Sequence, residues 1–179
     1  HILAGWYNNT FEYLKIIGSY NKLNFQKELE VNFINTEKEV FKLSCPDDAP
    51  PMNLIKGLLK FKAFGLKDKF ALKNINKLLK DEQDFEKKYL NVRELLIVIK
   101  QTPNLIKYFW EPFTLAVFNT KLENISVKIF LNVMQIGFNA KDNSALVIPD
   151  VNLNELLADD SLKYFEKKNV SVRTDESVK

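Results

Sequence analysis

Apolar and polar positions along this chain alternate with two different periods, which separates its helices from its strands. Residues 8–17 place apolar side chains three apart, which predicts a short amphipathic helix. We expect Asn9 or Thr10 to cap its start and Gly18 to end it, because glycine adopts the left-handed conformation at little cost.

A strand period follows. Residues 29–34 and 40–44 alternate between apolar and polar side chains around a short polar loop, which predicts a β-hairpin. Three prolines then interrupt regular structure, since proline lacks the N–H that helices and sheets require. They are Pro46, Pro50 and Pro51. We therefore treat 25–52 as a hairpin followed by a linker.

The helical period returns after the linker. Five helices are predicted at about residues 53–64, 67–80, 91–101, 104–118 and 123–139. Asn91 and Glu94 have the spacing of a capping box, and Pro103 stops the third helix. The fifth is apolar almost all round, which indicates a helix that is buried on most sides.

The C-terminal part mixes both periods. It predicts a strand at 145–148, a helix at 152–168 and a strand at 170–173. The predicted fold class is α+β, a mostly helical domain with a small and mostly antiparallel sheet. We interpret residues 1–179 as one domain whose helical part spans 53–168.

Composition removes several classes of function. A chain of 179 residues that is 46% hydrophobic can bury a core, and a net charge of +3 does not by itself indicate nucleic acid. The single cysteine, Cys45, excludes an internal disulfide, and one cysteine with one histidine cannot form the usual zinc site. No phosphate-binding glycine motif is present, so the chain shows no catalytic apparatus or cofactor site of its own.

The run from Trp110 to Thr120 is the most informative segment. Pro112 lies inside an otherwise strong helical pattern and predicts a kink. One interpretation is that the neighbouring aromatic side chains are core. The other is that the kink opens a gap for a ligand, lined by Trp110, Phe113, Phe118 and Asn119.

This run, W-E-P-F-x-L-A-x-x-N-T, resembles a segment of the squalene-associated FAD-dependent desaturases, or hydroxysqualene dehydroxylases. These enzymes belong to the superfamily of amine oxidases and phytoene desaturases. Weaker similarities occur in the same order elsewhere in the chain. They lie at residues 1–5, 66–72, 91–96, 146–157 and 169–173, whereas the region around 25–52 matches poorly.

The resemblance implies an internal piece of a flavoenzyme, namely the inserted domain that covers the flavin and shapes a lipid tunnel. The whole protein would then use FAD to act on a squalene-type or carotenoid-type isoprenoid. The FAD-binding domain would lie outside this chain, so we expect the isolated chain to be inactive, to bind no FAD and to self-associate.

The segment 56–80 is rich in lysine and interleaves it with apolar residues, with Asp68 as its only acid. This pattern is typical of a surface that lies on an anionic membrane, but also of a solvated face on a core helix. The predicted membrane-contact residues are Lys60, Phe61, Lys62, Phe64, Lys67 and Lys69. The apolar residues interleaved with the lysines are Leu58, Leu59, Phe61, Phe64, Leu66 and Phe70.

Two hypotheses result. The first is the substrate-binding portion of an FAD-dependent isoprenoid oxidoreductase, located in the cytoplasm and peripherally on the membrane. The alternative is a stand-alone helical module that binds lipid or protein without catalysis. A glycine-rich nucleotide-binding turn upstream of this chain in the complete coding sequence would favour the enzyme.

Overall fold

The computed structural model describes residues 1–48, 52–80, 84–138 and 145–177, and the chain forms two compact units. The first unit combines residues 1–26 with the chain from residue 145 onward, and the second comprises 27–144. Helices predominate and the small sheets are antiparallel, so the predicted α+β class is confirmed. The helix predicted at 152–168 belongs to the first unit, whereas the other helices predicted after the linker belong to the second.

The first unit is a three-stranded antiparallel sheet with helices. Its elements are β1 (Leu3–Ala4), α1 (Asn8–Ile17), β2 (Leu23–Phe25), β5 (Leu146–Pro149), a π-helical segment (Asn154–Asp159) and α10 (Asp160–Lys167). The middle strand is β5, where Val147 lies opposite both Leu3 and Phe25. Val147 is fully buried, as expected for the centre of this sheet.

Helix α1 buries the face that the sequence predicts, through Phe11, Leu14 and Ile17. It ends at Gly18, whose φ of 86° is left-handed, so the predicted stop is confirmed. The predicted bounds are confirmed, but the predicted cap is wrong. The helix begins at Asn8 behind Tyr7, and no side chain caps it, so neither Asn9 nor Thr10 occupies the cap position.

The second unit opens with the predicted hairpin of β3 (Leu29–Ile34) and β4 (Val40–Cys45). In the loop, the Asn35 side-chain oxygen accepts hydrogen bonds from the backbone N–H groups of Glu37 and Glu39. The register runs from Leu29 opposite Cys45 to Ile34 opposite Val40. Pro50 and Pro51 of the predicted linker lie outside the described residues.

Helices complete the second unit. They are α2 (Met52–Lys60), α3 (Leu66–Ala71), α4 (Asn76–Lys80), α5 (Phe85–Lys88), α6 (Val92–Val98), α7 (Pro103–Leu105), α8 (Glu111–Phe118) and α9 (Val127–Gly137). The Asn91 side chain accepts from the N–H of Glu94, so the predicted cap of α6 is confirmed. Gly57 lets α2 approach β4, because a Cβ there would lie 2.5 Å from the Sγ of Cys45.

The fifth predicted helix and the last predicted strand differ from the structure. The predicted helix at 123–139 is a 3₁₀ turn at Leu122–Asn124 followed by α9, and α9 is not buried on most sides, since Ile129 and Ile136 are exposed. The strand predicted at 170–173 is absent: these described residues are exposed and irregular. A strand needs a hydrogen-bonded neighbour, and alternation alone does not supply one.

Candidate functional site

The backbone widens just before the proline of the Trp110 run. Residues Ile106–Trp110 form a π-helical turn, in which the N–H of Glu111 donates to the carbonyl of Ile106. Pro112 then occupies the first turn of α8, where a missing N–H is tolerated. The Thr114 hydroxyl donates to the carbonyls of Trp110 and Glu111, at 2.9 and 3.1 Å. Wide turns of this kind occur often at functional sites.

Trp110 itself lies in the closed core of the second unit. Its side chain is 0% exposed, and its Nε1–H donates to the Oε1 of Gln101 at 3.0 Å. Gln101 in turn donates to the carbonyl of Ala71 at 3.1 Å. The indole also meets the ring of Phe130 edge-on, with centroids 5.7 Å apart. In this conformation Trp110 offers no surface to a ligand, which corrects the expectation that it borders a cavity.

The other predicted lining residues keep some exposed surface. Phe113 and Phe118 are each half-buried. Phe113 stacks on Phe109 with centroids 6.0 Å apart, and Phe118 contacts Phe130 at 6.3 Å. Asn119 is exposed and ends α8 with a left-handed φ of 53°. A ligand that used this run would therefore meet Phe113, Phe118 and Asn119.

A groove of about 320 Å³ lies beside α8. It is lined by Glu111, Thr114, Leu115, Lys121, Leu122 and Glu123. The guanidinium of Arg93 bridges Glu111 and Glu123, at 3.4 and 3.1 Å. The predicted aromatic residues do not line this groove, and its four charged neighbours make it a poor match for a hydrocarbon.

Two of the apolar residues predicted to contact a membrane, Phe61 and Phe64, are buried. Phe61 and Phe64 are only 2% and 4% exposed, and their rings pack edge-on at 5.0 Å. Phe61 also contacts Phe33 of the hairpin. Both phenylalanines therefore belong to the core and do not contact a membrane in this conformation. The most exposed apolar side chains of the segment are Leu66 and Phe70, at 77% and 72%, and Leu59 is 41% exposed.

The lysines of this segment remain at the surface. Lys60, Lys62 and Lys67 are exposed, and Lys69 is half-buried. The one acid, Asp68, is buried beneath them. Burial raises the pKa of Asp68, but the hydrogen bonds that it accepts outweigh burial and lower it. They come from the Thr102 hydroxyl, the Gly65 N–H and the Asn104 amide.

The first unit holds a charged cluster that the sequence did not predict. Asp160 is almost fully buried and accepts hydrogen bonds from Ser19 at 2.6 Å, Lys22 at 2.5 Å and Lys163 at 2.9 Å. These bonds, that of Lys22 first, hold the pKa of Asp160 well below its usual range. A hollow of about 540 Å³ adjoins the cluster. The carboxylate is fully engaged by its partners, so it fastens the C-terminal helix and is not a free general base.

The described residues offer little support for a metal site, a cysteine nucleophile or a membrane-spanning helix. No group of three or more His, Cys, Asp and Glu side chains there could hold a metal ion. Burial raises the pKa of the Cys45 thiol to about 11, so it is a poor nucleophile. None of the helices in the described ranges combines the length and the apolar run needed to cross a bilayer.

Comparison with known proteins adds no relative: no protein-family model matches the chain, and no curated protein is significantly similar to it.

Proposed function

We propose that this chain is the substrate-binding portion of an FAD-dependent oxidoreductase that acts on a squalene-type or carotenoid-type isoprenoid. The observation that carries the proposal is the run from Trp110 to Thr120, together with the weaker similarities that occur in family order along the chain. FAD would be held by parts of the protein outside this chain. The proposal places the enzyme in the cytoplasm, on the surface of the membrane that contains its substrate.

The geometry of the run is consistent with two roles, a buried anchor that fixes the backbone and exposed rings that contact the ligand. Trp110 anchors the wide turn in the core through Gln101, and the turn then fixes where α8 begins. Phe113 and Phe118 lie one to two turns further on and keep exposed ring surface. Rigid aromatic side chains with a buried anchor suit an apolar ligand, which must be oriented without hydrogen bonds.

The rival function is a lipid-binding module without catalysis. The exposed Leu66 and Phe70 among lysines favour it, because such a surface needs no flavin to be useful. Among the described residues, neither the charged groove nor the fully engaged carboxylate offers an evident catalytic group. Both hypotheses assign the chain to lipid, and they differ in whether the complete protein carries FAD.

The test uses the complete protein from which this chain derives. Purified protein should carry FAD, visible in its absorbance spectrum. After anaerobic reduction, a hydroxylated squalene should reoxidise the flavin and lose its hydroxyl group, which mass spectrometry would detect. A complete protein that binds no FAD would refute the enzyme and leave the lipid module. A flavoprotein that ignores both squalene-type and carotenoid-type substrates would refute the substrate class.

Variants of the run locate the ligand. Phe113→Ala should lower kcat/KM about tenfold with the flavin retained, since about 1.4 kcal/mol of lost apolar contact is worth that factor. Leu115→Ala is the matched control, because Leu115 is exposed on the same helix and lines the charged groove. Equal effects of the two variants would show that Phe113 has no special contact with the substrate.

A further inference from the structure

One face of α3 carries two large apolar side chains that nothing in the described chain covers. Leu66 and Phe70 are four residues apart, so they lie one above the other on the same side of the helix. They are 77% and 72% exposed, so together they form an exposed apolar patch.

The helix geometry explains why these two residues point outward. At about 100° per residue, Asp68 and Ala71 fall on the opposite side of α3, and both are buried. The hydrogen bonds that Asp68 accepts from Thr102 and Asn104 fix this orientation. Exposure of Leu66 and Phe70 is thus set by the anchored face behind them, and a small rotation of α3 cannot hide them.

Lysines flank the apolar pair on both sides. Lys67 lies on one side of it and Lys69 on the other. Lys73 follows in the 3₁₀ turn after α3 and is exposed. Lys62 precedes the helix and is exposed. Among the described residues none of these four ammonium groups has an ion-pair partner. Because Asp68 faces inward, the outer face of α3 is apolar at its centre and positive around it.

We propose that this face of α3, the α3 face, docks onto an anionic phospholipid bilayer, with Leu66 and Phe70 inserted between headgroups. The charge pattern decides the occupant. A second copy of the same face would bring lysines against lysines, whereas anionic headgroups complement them. The apolar pair then enters the membrane interface and is removed from water, while the lysines stay at the level of the headgroups.

This inference deepens the membrane part of the proposed function and rests on it for the reason to bind a membrane. It differs in its residues, since Phe61 and Phe64 take no part. It differs in its readout as well, because vesicle binding requires neither FAD nor turnover. The two proposals can therefore fail separately.

The experiment is co-sedimentation of the 179-residue chain with vesicles of phosphatidylcholine containing about 30% phosphatidylserine. Binding should be strong at low salt, fall as salt screens the charges, and be weak on pure phosphatidylcholine. The variant Lys67→Gln/Lys73→Gln should bind about 25-fold more weakly, from about fivefold for each lysine. The control Lys38→Gln/Lys121→Gln removes the same charge from other exposed sites and should bind like the parent.

The apolar contribution has its own pair of variants. Leu66→Ser/Phe70→Ser should lose at least tenfold in binding to the anionic vesicles, because serine removes nearly all inserted surface. Leu90→Ser is the control, since Leu90 is 86% exposed elsewhere in the second unit. All these sites are exposed, so unchanged circular dichroism should confirm folding.

Three outcomes would overturn the proposal. One is a Leu66→Ser/Phe70→Ser variant that sediments like the parent. Another is equal binding to neutral and anionic vesicles. The third is a complete protein that no longer sediments although the isolated chain does, because the rest of the protein would then cover the α3 face. The flavin content of that same complete protein reports on the proposed function independently.

Discussion

The prediction that most directly tests the role of the Trp110 run is the replacement Trp110→Phe. If Trp110 is a buried anchor, the variant loses stability whether or not a ligand is present. If it were mainly a ligand contact, the folded protein would tolerate the change. The indole has two kinds of contact to lose, its hydrogen bond to Gln101 and its packing against Phe109 and Phe130.

The structure sets the expected size of the loss. The Oε1 of Gln101 would be left buried without a donor, which costs about 1–3 kcal/mol. The smaller ring also leaves a void on the order of 40 Å³, worth about 1 kcal/mol at about 24 cal/mol per Å³. We therefore expect the free energy of unfolding to fall by about 2–4 kcal/mol. A loss of that size is a large part of the stability of a small domain.

The assay is urea unfolding followed by far-ultraviolet circular dichroism, with the slope checked for each variant. Trp6→Phe is the matched control, because Trp6 is half-buried and its indole has no hydrogen-bond partner among the described residues. That control should lose less than about 1 kcal/mol. It also leaves Trp110 as the sole tryptophan, whose fluorescence then reports on the core of the second unit.

A double-mutant cycle shows whether the hydrogen bond matters. Gln101→Met removes the acceptor, and the variant with both changes should be more stable than the sum of the single losses predicts, by about 0.5–3 kcal/mol. An unfolding midpoint of Trp110→Phe equal to that of the parent, or strict additivity in the cycle, would refute the anchoring role.

Three further predictions concern other parts of the chain. The isolated chain should show no stoichiometric FAD binding by calorimetry or in the flavin spectrum, and low-micromolar binding would contradict this. Gly57→Ala should destabilise the protein by about 1–3 kcal/mol despite better helix propensity, because its Cβ would lie 2.5 Å from the Sγ of Cys45. Gly65→Ala, whose nearest contact is at 3.7 Å, should cost less than about 1 kcal/mol. Folding lowers the pKa of Asp160, so the stability that its carboxylate contributes is present above the ordinary pKa of 3.8 and is lost as pH falls below that value. Asp160→Asn should therefore be less stable than the parent near neutral pH, and its stability should fall less in acid. Parallel curves of stability against pH for the two proteins would refute this role of Asp160.

The sequence predicted a helix end correctly where a single residue determines it. Gly18 ends α1 because its backbone conformation is left-handed, and Asn91 starts α6 because its side chain accepts the N–H of Glu94. The short strands β1 and β2 were missed, since two or three residues carry no period. They exist because both pair with β5, which lies more than 100 residues away in the chain.

The candidate site was harder to predict for a related reason. The sequence shows that residues 56–80 mix lysine with apolar side chains. Which of these side chains face the core and which face solvent depends on where each helix ends. Helix α2 stops at Lys60, and the turn up to Gly65 resets the rotation of the next helix. That reset buries Phe61 and Phe64 and exposes Leu66 and Phe70. The partners of Asp160 were equally hidden, because Ser19 and Lys22 lie about 140 residues before it.

The pairing of β2 with β5 also has a consequence for how this chain can change over evolutionary time. The chain leaves the first unit at Gln26, whose N–H donates to the carbonyl of Leu146 at 3.0 Å, so it returns beside its own exit. An insert whose two ends are hydrogen-bonded neighbours can be lengthened, exchanged or removed without altering the register of the host sheet. The first unit is thus a fixed frame that accepts inserts of different length and sequence.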